Sequence, residues 1–111
     1  MIELYNDTCI PCENGIRTLN FEEEEVHLSE LTKWEIDREG IHKLVKIFLF
    51  DSYINSIEFV NKVVAVSEYE GHHPYIHIYY KKVVIELYTN SIKGLSKYDF
   101  MMALNIDNLI E

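Results

Sequence analysis

The chain has 111 residues, room for one compact domain and too few for two. Hydrophobic residues make up 48% and charged residues 26%, a globular balance that predicts a single packed core. A formal charge of -9, from 19 acidic and 10 basic residues, argues against a phosphate-backbone binder, so no direct nucleic-acid partner is expected.

No apolar run approaches the length of a membrane span, and no basic segment followed by an apolar stretch opens the chain. No membrane partner is expected, and the location is read as cytoplasmic. Residues 1–17 read as an N-terminal extension rich in turn residues (Asn6, Asp7, Pro11, Asn14-Gly15), ahead of a domain spanning 18–111. The extension carries Cys9-Ile-Pro-Cys12. A structural zinc would need two more ligands, and no second such pair exists; His27 and His42 are unpatterned helpers. A redox motif belongs at a strand-to-helix turn, whereas this one lies in a polar segment. Inert thiols are the leading reading, with a local disulfide, a metal clip or redox function as alternatives.

Asn20 can cap a helix, with Glu23 completing a box-like start, and that helix should run to about Leu31. The run Glu22 to Glu25 reads as its solvated first turn. Trp34–Asp37 reads as a strand, Asp37–Gly40 as a turn and Leu44–Phe50 as a second strand, rich in β-branched and aromatic residues. From Asp51 to Glu70, apolar residues Tyr53, Ile57, Val60 and Val64 recur at helical steps, with Phe59 and Val63 beside them. Gly71 can cap this long helix. Tyr75–Tyr80 and Val83–Thr89 then read as strands joined at Lys81-Lys82. After the loop from Asn90 to Leu95, Ser96 opens a last helix with Asp99 three residues on.

The order α-β-β-α-β-β-α predicts an α+β fold: a four-stranded, mainly antiparallel sheet with helices packed on one face. The opposite face then needs polar residues or another subunit. Tyr75, Tyr79, Tyr80 and Tyr88 offer a stacking wall for a flat heterocycle, or else sheet packing or a subunit interface.

Between the long helix and the third strand stands Glu70-Gly71-His72-His73-Pro74. Pro74 holds His73 extended, and neighbours in an extended segment point to opposite sides, which disfavours both rings chelating one metal. No metal site is expected. An acid/base pair suits imidazole, whose ordinary pKa near 6.5 lets it take and give protons at neutral pH. A structural polar corner is the alternative.

The longer pattern carries more. Glu68, His72-His73-Pro74, aromatic Tyr80, the run Val83 to Thr89, then Lys93-Gly94-Leu95-Ser96 and Asp99 occur in one order. This resembles the pterin-4a-carbinolamine dehydratase family, over about residues 18–107 and including Trp34, Lys43–Phe50 and Phe59-Val60-Asn61. The bacterial branch often carries an N-terminal Cys-x-x-Cys. The resemblance implies removal of water from a 4a-hydroxytetrahydropterin, giving the quinonoid dihydropterin for tetrahydropterin recycling. It implies His72 as an acid/base group, His73 as pterin binder or second proton-transfer group, and Glu68 as orienting a histidine. Asp99 would contribute from the last helix, while Pro74, Tyr80, Thr89 and Asn90 would line the substrate. No cofactor is implied, because only protons and hydroxide move. The partners implied are a small-molecule pterin and further copies of the chain, as a homodimer or homotetramer.

One position departs from the family pattern: a third histidine commonly follows the threonine, and here Asn90 stands there. Asn hydrogen-bonds but exchanges no proton near pH 7. The family also includes a transcription-factor dimerisation coactivator and members with assembly roles, so a non-catalytic pterin-binding or protein-interaction role is the alternative. Bland readings stand beside three of the residues: Asp99 as a capping-box acid, Glu68 as an exposed helix-end charge and Asn90 as an ordinary loop residue.

Overall fold

Asn20 starts helix α1 (Phe21–Leu28) as its spacing to Glu23 predicts: the Asn20 side chain accepts from Glu23 N, and Glu23 Oε1 accepts from Asn20 N, both at 2.9 Å. The computed structural model describes residues 16–110, so Cys9, Cys12 and nearly all of the expected extension lie outside the described residues. Helix α1 ends at Leu28, short of the expected Leu31, because the next amides turn tightly: Glu30 N donates to His27 O and Leu31 N to Leu28 O. The solvated reading of the glutamate run also needs correction at one residue. Glu24 is fully buried, accepting from Arg38 Nε at 3.0 Å and meeting His42 Nδ1 at 2.8 Å. Helical spacing turns one member of the run inward, and two partners make its burial tolerable.

Strands β1 (Glu35–Asp37), β2 (Lys43–Leu49), β3 (Tyr75–Tyr79) and β4 (Lys82–Leu87) form one sheet in the order β1-β2-β4-β3, every pair antiparallel. The hairpins β1–β2 and β3–β4 are those the sequence predicts, and helix α2 (Tyr53–Glu70) links them. One correction falls at the β3–β4 turn. Tyr79 pairs with Lys82, so the two-residue loop is Tyr80-Lys81 rather than Lys81-Lys82, with Tyr80 at φ 46°.

Alternation puts Leu44, Phe48, Val83, Ile85 and Leu87 on one sheet face, where they are buried against Phe59 and Val63 of α2 and against Phe100, Met102 and Ile106 of α3 (Lys97–Asp107). Lys46 shares that inner face, with its ammonium held by Thr32 O at 3.0 Å and Asp107 Oδ1 at 2.9 Å. Trp34 Nε1 donates to the same carboxylate. On the other face Ile47, Leu49, Tyr75 and Tyr79 are exposed among Glu35, His77 and Lys82.

Helix α2 does not bury the stripe its sequence singles out. Its buried line is Ser56, Phe59, Val63 and Ser67, while Tyr53 and Val64 are about half exposed. The two serines satisfy their hydroxyls locally, on Ser52 O and Val63 O, so small polar residues can face the sheet without cost to the core. Among the described residues no helix is long and apolar enough to cross a membrane.

Candidate active site

The His-His-Pro corner is shaped by the end of α2. Gly71 sits at φ 69°, the left-handed conformation that glycine adopts freely, and its amide and that of His72 both reach Ser67 O, at 2.9 and 3.2 Å. The chain then runs extended through Pro74 into β3. Adjacent side chains diverge, as the extended geometry predicts: the His72 side chain is 3% exposed and that of His73 63%.

The buried ring lands on Asp99. His72 Nε2 lies 2.7 Å from Asp99 Oδ1, and Asp99 Oδ2 accepts from Thr89 Oγ1 at 2.8 Å and from the Ser96 amide at 2.9 Å. Asp99 is therefore at once the capping-box acid of α3 and the partner of His72, one oxygen serving each task. An ionised carboxylate only accepts, so beside a charged Asp99 the hydrogen of this contact sits on His72 Nε2. Nδ1 is then the nitrogen left to exchange a proton. Ser96 Oγ lies 3.0 Å from Thr89 Oγ1, and Thr89 already donates to Asp99, so the serine is the donor between them. Every member of this set is buried, and among the described residues no buried side-chain N or O atom lacks a partner.

The loop that delivers Thr89 and Ser96 is closed by its own backbone. Thr89 N donates to Gly94 O at 2.8 Å, and Leu19 N to Leu95 O at 2.8 Å. Gly94 leaves room for Thr18: a Cβ there would stand 2.8 Å from Thr18 Cγ2, and that side chain would have to shift.

His73 takes a different partner, Glu68 Oε2 at 2.7 Å, two residues before the end of α2. Both side chains are mostly in water, so this pair is screened in a way the His72–Asp99 pair is not. The corner opens on a cleft of about 390 Å³ lined by Gly71, His72, His73, Tyr75, Tyr88, Asn90 and Ser91, within the range of small-ligand sites. Tyr75 and Tyr88 stack with ring centroids 5.4 Å apart and planes 13° apart, their hydroxyls 3.1 Å from each other. The hydrogen bond to Tyr88 is the main cause that pushes the Tyr75 phenol above its ordinary pKa.

Of the residues the sequence points to, Glu68, His72, His73, Thr89 and Asp99 meet in two hydrogen-bonded groups, and Asn90 lies at the cleft. Pro74 is half-buried and shapes the backbone. Tyr80 is not brought there. It occupies the hairpin tip at the other end of β3 against Tyr53, roughly 15 Å along the strand by the usual rise per residue. His77 faces the outer side of the sheet, 3.6 Å from Glu86. Ser96, as a support behind Asp99, escapes the sequence reading; its spacing to Thr89 and Asp99 is the only linear trace of that role. Among the described residues no group of three His, Cys, Asp or Glu side chains is placed to hold a metal ion.

Residues 17–109 match the Pterin 4 alpha carbinolamine dehydratase family. A putative pterin-4-alpha-carbinolamine dehydratase of Saccharophagus degradans is 38% identical over 112 aligned positions, covering 100% of this chain and 99% of the relative. One from Chlorobaculum tepidum is 34% identical, covering 99% and 100%. The crystal structure of a transcriptional coactivator/pterin dehydratase from Brucella melitensis shares the fold, with a TM-score of 0.80 at 22% identity, covering 86% of this chain and 100% of that one. A pterin dehydratase-like protein identified as a RuBisCO assembly factor in the alpha-carboxysome superposes with a TM-score of 0.62 at 28% identity, covering 70% and 89%. The match runs through the corner, the cleft and the loop behind Asp99, and the chain belongs to the pterin 4 alpha carbinolamine dehydratase family.

Proposed function

We propose that the cleft at the His-His-Pro corner binds a reduced pterin and that the two imidazoles dehydrate its 4a-hydroxy form. The observation that carries this reading is the buried His72–Asp99 pair beside a cleft that also holds His73. A carboxylate behind an imidazole fixes its tautomer and stabilises the imidazolium that forms when the ring takes a proton. His72 Nδ1 takes the proton from pterin N5. The N5 electron pair forms the N5–C4a double bond as the C4a–O bond breaks, and His73, paired with Glu68, serves as the acid that gives the proton completing water. His73 is open to solvent, so it is reprotonated directly, and His72 returns its proton to solvent when the cleft empties. A cytoplasmic location and a homodimer or homotetramer belong to the same proposal. The exposed Ile47, Leu49 and Tyr79 on the outer sheet face support a self-associating chain, and sedimentation of the purified protein tests it.

A second reading is a pterin-binding or protein-interaction member that does no chemistry. Asn90 favours it, because that side chain cannot act as an acid or base. The similarity to a RuBisCO assembly factor points the same way. One set of assays separates the two. Under the dehydratase reading the purified protein accelerates dehydration of 4a-hydroxytetrahydropterin above the spontaneous rate, and His72→Ala removes the excess. No acceleration at micromolar protein, with a large gain in the Asn90→His variant, would establish the second reading.

A further inference from the structure

Tyr75 opens β3 and Tyr88 follows β4, both on the sheet face turned away from the helices. Tyr75 stands opposite Glu86, so Tyr88, two residues further on, is its diagonal neighbour on that face. Their near-parallel rings and the 3.1 Å contact between hydroxyls make them one unit, and both line the cleft with His72, His73 and Asn90. A hydroxyl pair consumes one hydrogen internally and keeps one O–H to offer, and the internal bond polarises the one that remains. That O–H lies in the same cleft as His73 and Asn90, where a bound ligand can accept it.

We propose that Tyr75 and Tyr88 act as one hydrogen-bonded hydroxyl pair that donates to the departing hydroxyl of the bound pterin. This rests on the reading that the cleft binds and dehydrates a reduced pterin. The pair lends a hydrogen bond and keeps its protons. The C4a–O bond breaks with its electrons on oxygen, that oxygen takes its second proton from His73, the N5 proton goes to His72, and both phenols begin and end the step as phenols. The raised pKa of Tyr75 agrees with this: the bond to Tyr88 outweighs the lowering by Lys93 and Lys43, and the phenol stays protonated through the neutral range. Phenylalanine would supply the same stacking surface without the donor, so the hydroxyls can be tested apart from the rings.

The experiment compares the full chain with Tyr75→Phe, Tyr88→Phe and the double variant. Each single change is expected to lower kcat for dehydration by about 5–10-fold, the worth of one hydrogen bond, with KM nearly unchanged. The double variant should fall little further, because the two hydroxyls act as a unit. Single variants within twofold of the parent, or effects that multiply in the double variant, would overturn the proposal. A second readout does not depend on turnover. In protein labelled at the tyrosine ring carbon bearing the hydroxyl, adding 7,8-dihydropterin should shift the Tyr75 and Tyr88 resonances and leave Tyr80, at the far end of β3, in place. An accelerating protein whose Tyr75 and Tyr88 signals ignore the ligand also overturns it. A parent that neither accelerates nor binds removes the dehydratase reading and the pair's role together, an outcome plainly different from an active parent with indifferent phenylalanine variants.

Discussion

Replacing Asp99 by asparagine keeps the shape of the buried site and reverses the chemistry of one atom. The carboxylate accepts three hydrogen bonds, from His72 Nε2, Thr89 Oγ1 and the Ser96 amide, at 2.7, 2.8 and 2.9 Å. In Asp99→Asn the amide oxygen can still accept from Thr89 and Ser96, but the amide NH₂ then faces His72 Nε2. Two donors cannot share that contact, so His72 must move its hydrogen to Nδ1 and become an acceptor at Nε2. Bonds to a charged acceptor at roughly 1.5–3 kcal/mol each become neutral ones at roughly 0.5–1.5, a loss of about 3 kcal/mol over the set. Relief from burying a charge returns part of this, leaving a net loss of about 2 kcal/mol. Against a typical total of roughly 5–15 kcal/mol the variant should fold, with a urea midpoint lower by about 1–2 M. The rate should suffer far more, because Nδ1 now carries a hydrogen and cannot take one. A general base is worth roughly 10²–10⁴-fold, and the loss should fall in that range. Dehydration measured above the spontaneous background gives the rate, urea unfolding gives the stability, and nitrogen-15 spectra of His72 give the tautomer. A variant with the hydrogen moved to Nδ1 and an undiminished rate would refute the assignment of His72 Nδ1 as the base.

Three further outcomes follow from the same structure. Gly71→Ala places a side chain at φ 69° and should cost about 1–2 kcal/mol, lowering the melting temperature by several degrees; it should also slow dehydration, since the same residue aims His72. Glu24→Gln, which strips the charge from a buried partner of Arg38 and His42, should destabilise by about 1–3 kcal/mol, whereas Glu22→Gln two residues away, on the exposed side of the helix, should stay within about 0.5; equal effects in chemical denaturation would contradict the burial of Glu24. Glu23, bound by Arg17 and by the Asn20 amide, has its pKa lowered to about 2. The unfolded chain therefore binds this proton first as the pH drops, so the stabilisation is complete above about pH 4.5 and is lost as the pH falls towards 2. Glu23→Gln should lose this part of the acid dependence, and a parent and variant with parallel stability profiles between pH 5 and 2 would refute it.

Signals confined to a few residues were legible in the chain. The cap at Asn20 with Glu23, the stop at Gly71 and the box at Ser96 with Asp99 each depend on neighbours within one helical turn, and the backbone there adopts what those residues favour. The divergence of His72 and His73 follows from Pro74 in the same way. Patterns with two solutions misled. Helix α2 is apolar on more than one face, and periodicity by itself cannot tell that Ser56, Phe59, Val63 and Ser67 meet the sheet while Tyr53 and Val64 stay half exposed. The β3–β4 turn moved by one residue because the pairing of Tyr79 with Lys82, rather than local turn chemistry, sets the register.

The sequence by itself determined the order of elements, the antiparallel hairpins and the identity of the imidazole corner, because these rest on short-range backbone preference and on residue type. Only the tertiary structure decided which carboxylate serves which imidazole: Asp99 reaches His72 across 27 positions, while Glu68 takes His73. It also decided that one glutamate of an acidic run is buried, and that Tyr75 and Tyr88 share a hydroxyl contact. Those pairings depend on strand register and helix placement, and thus on the packing of the core as a whole.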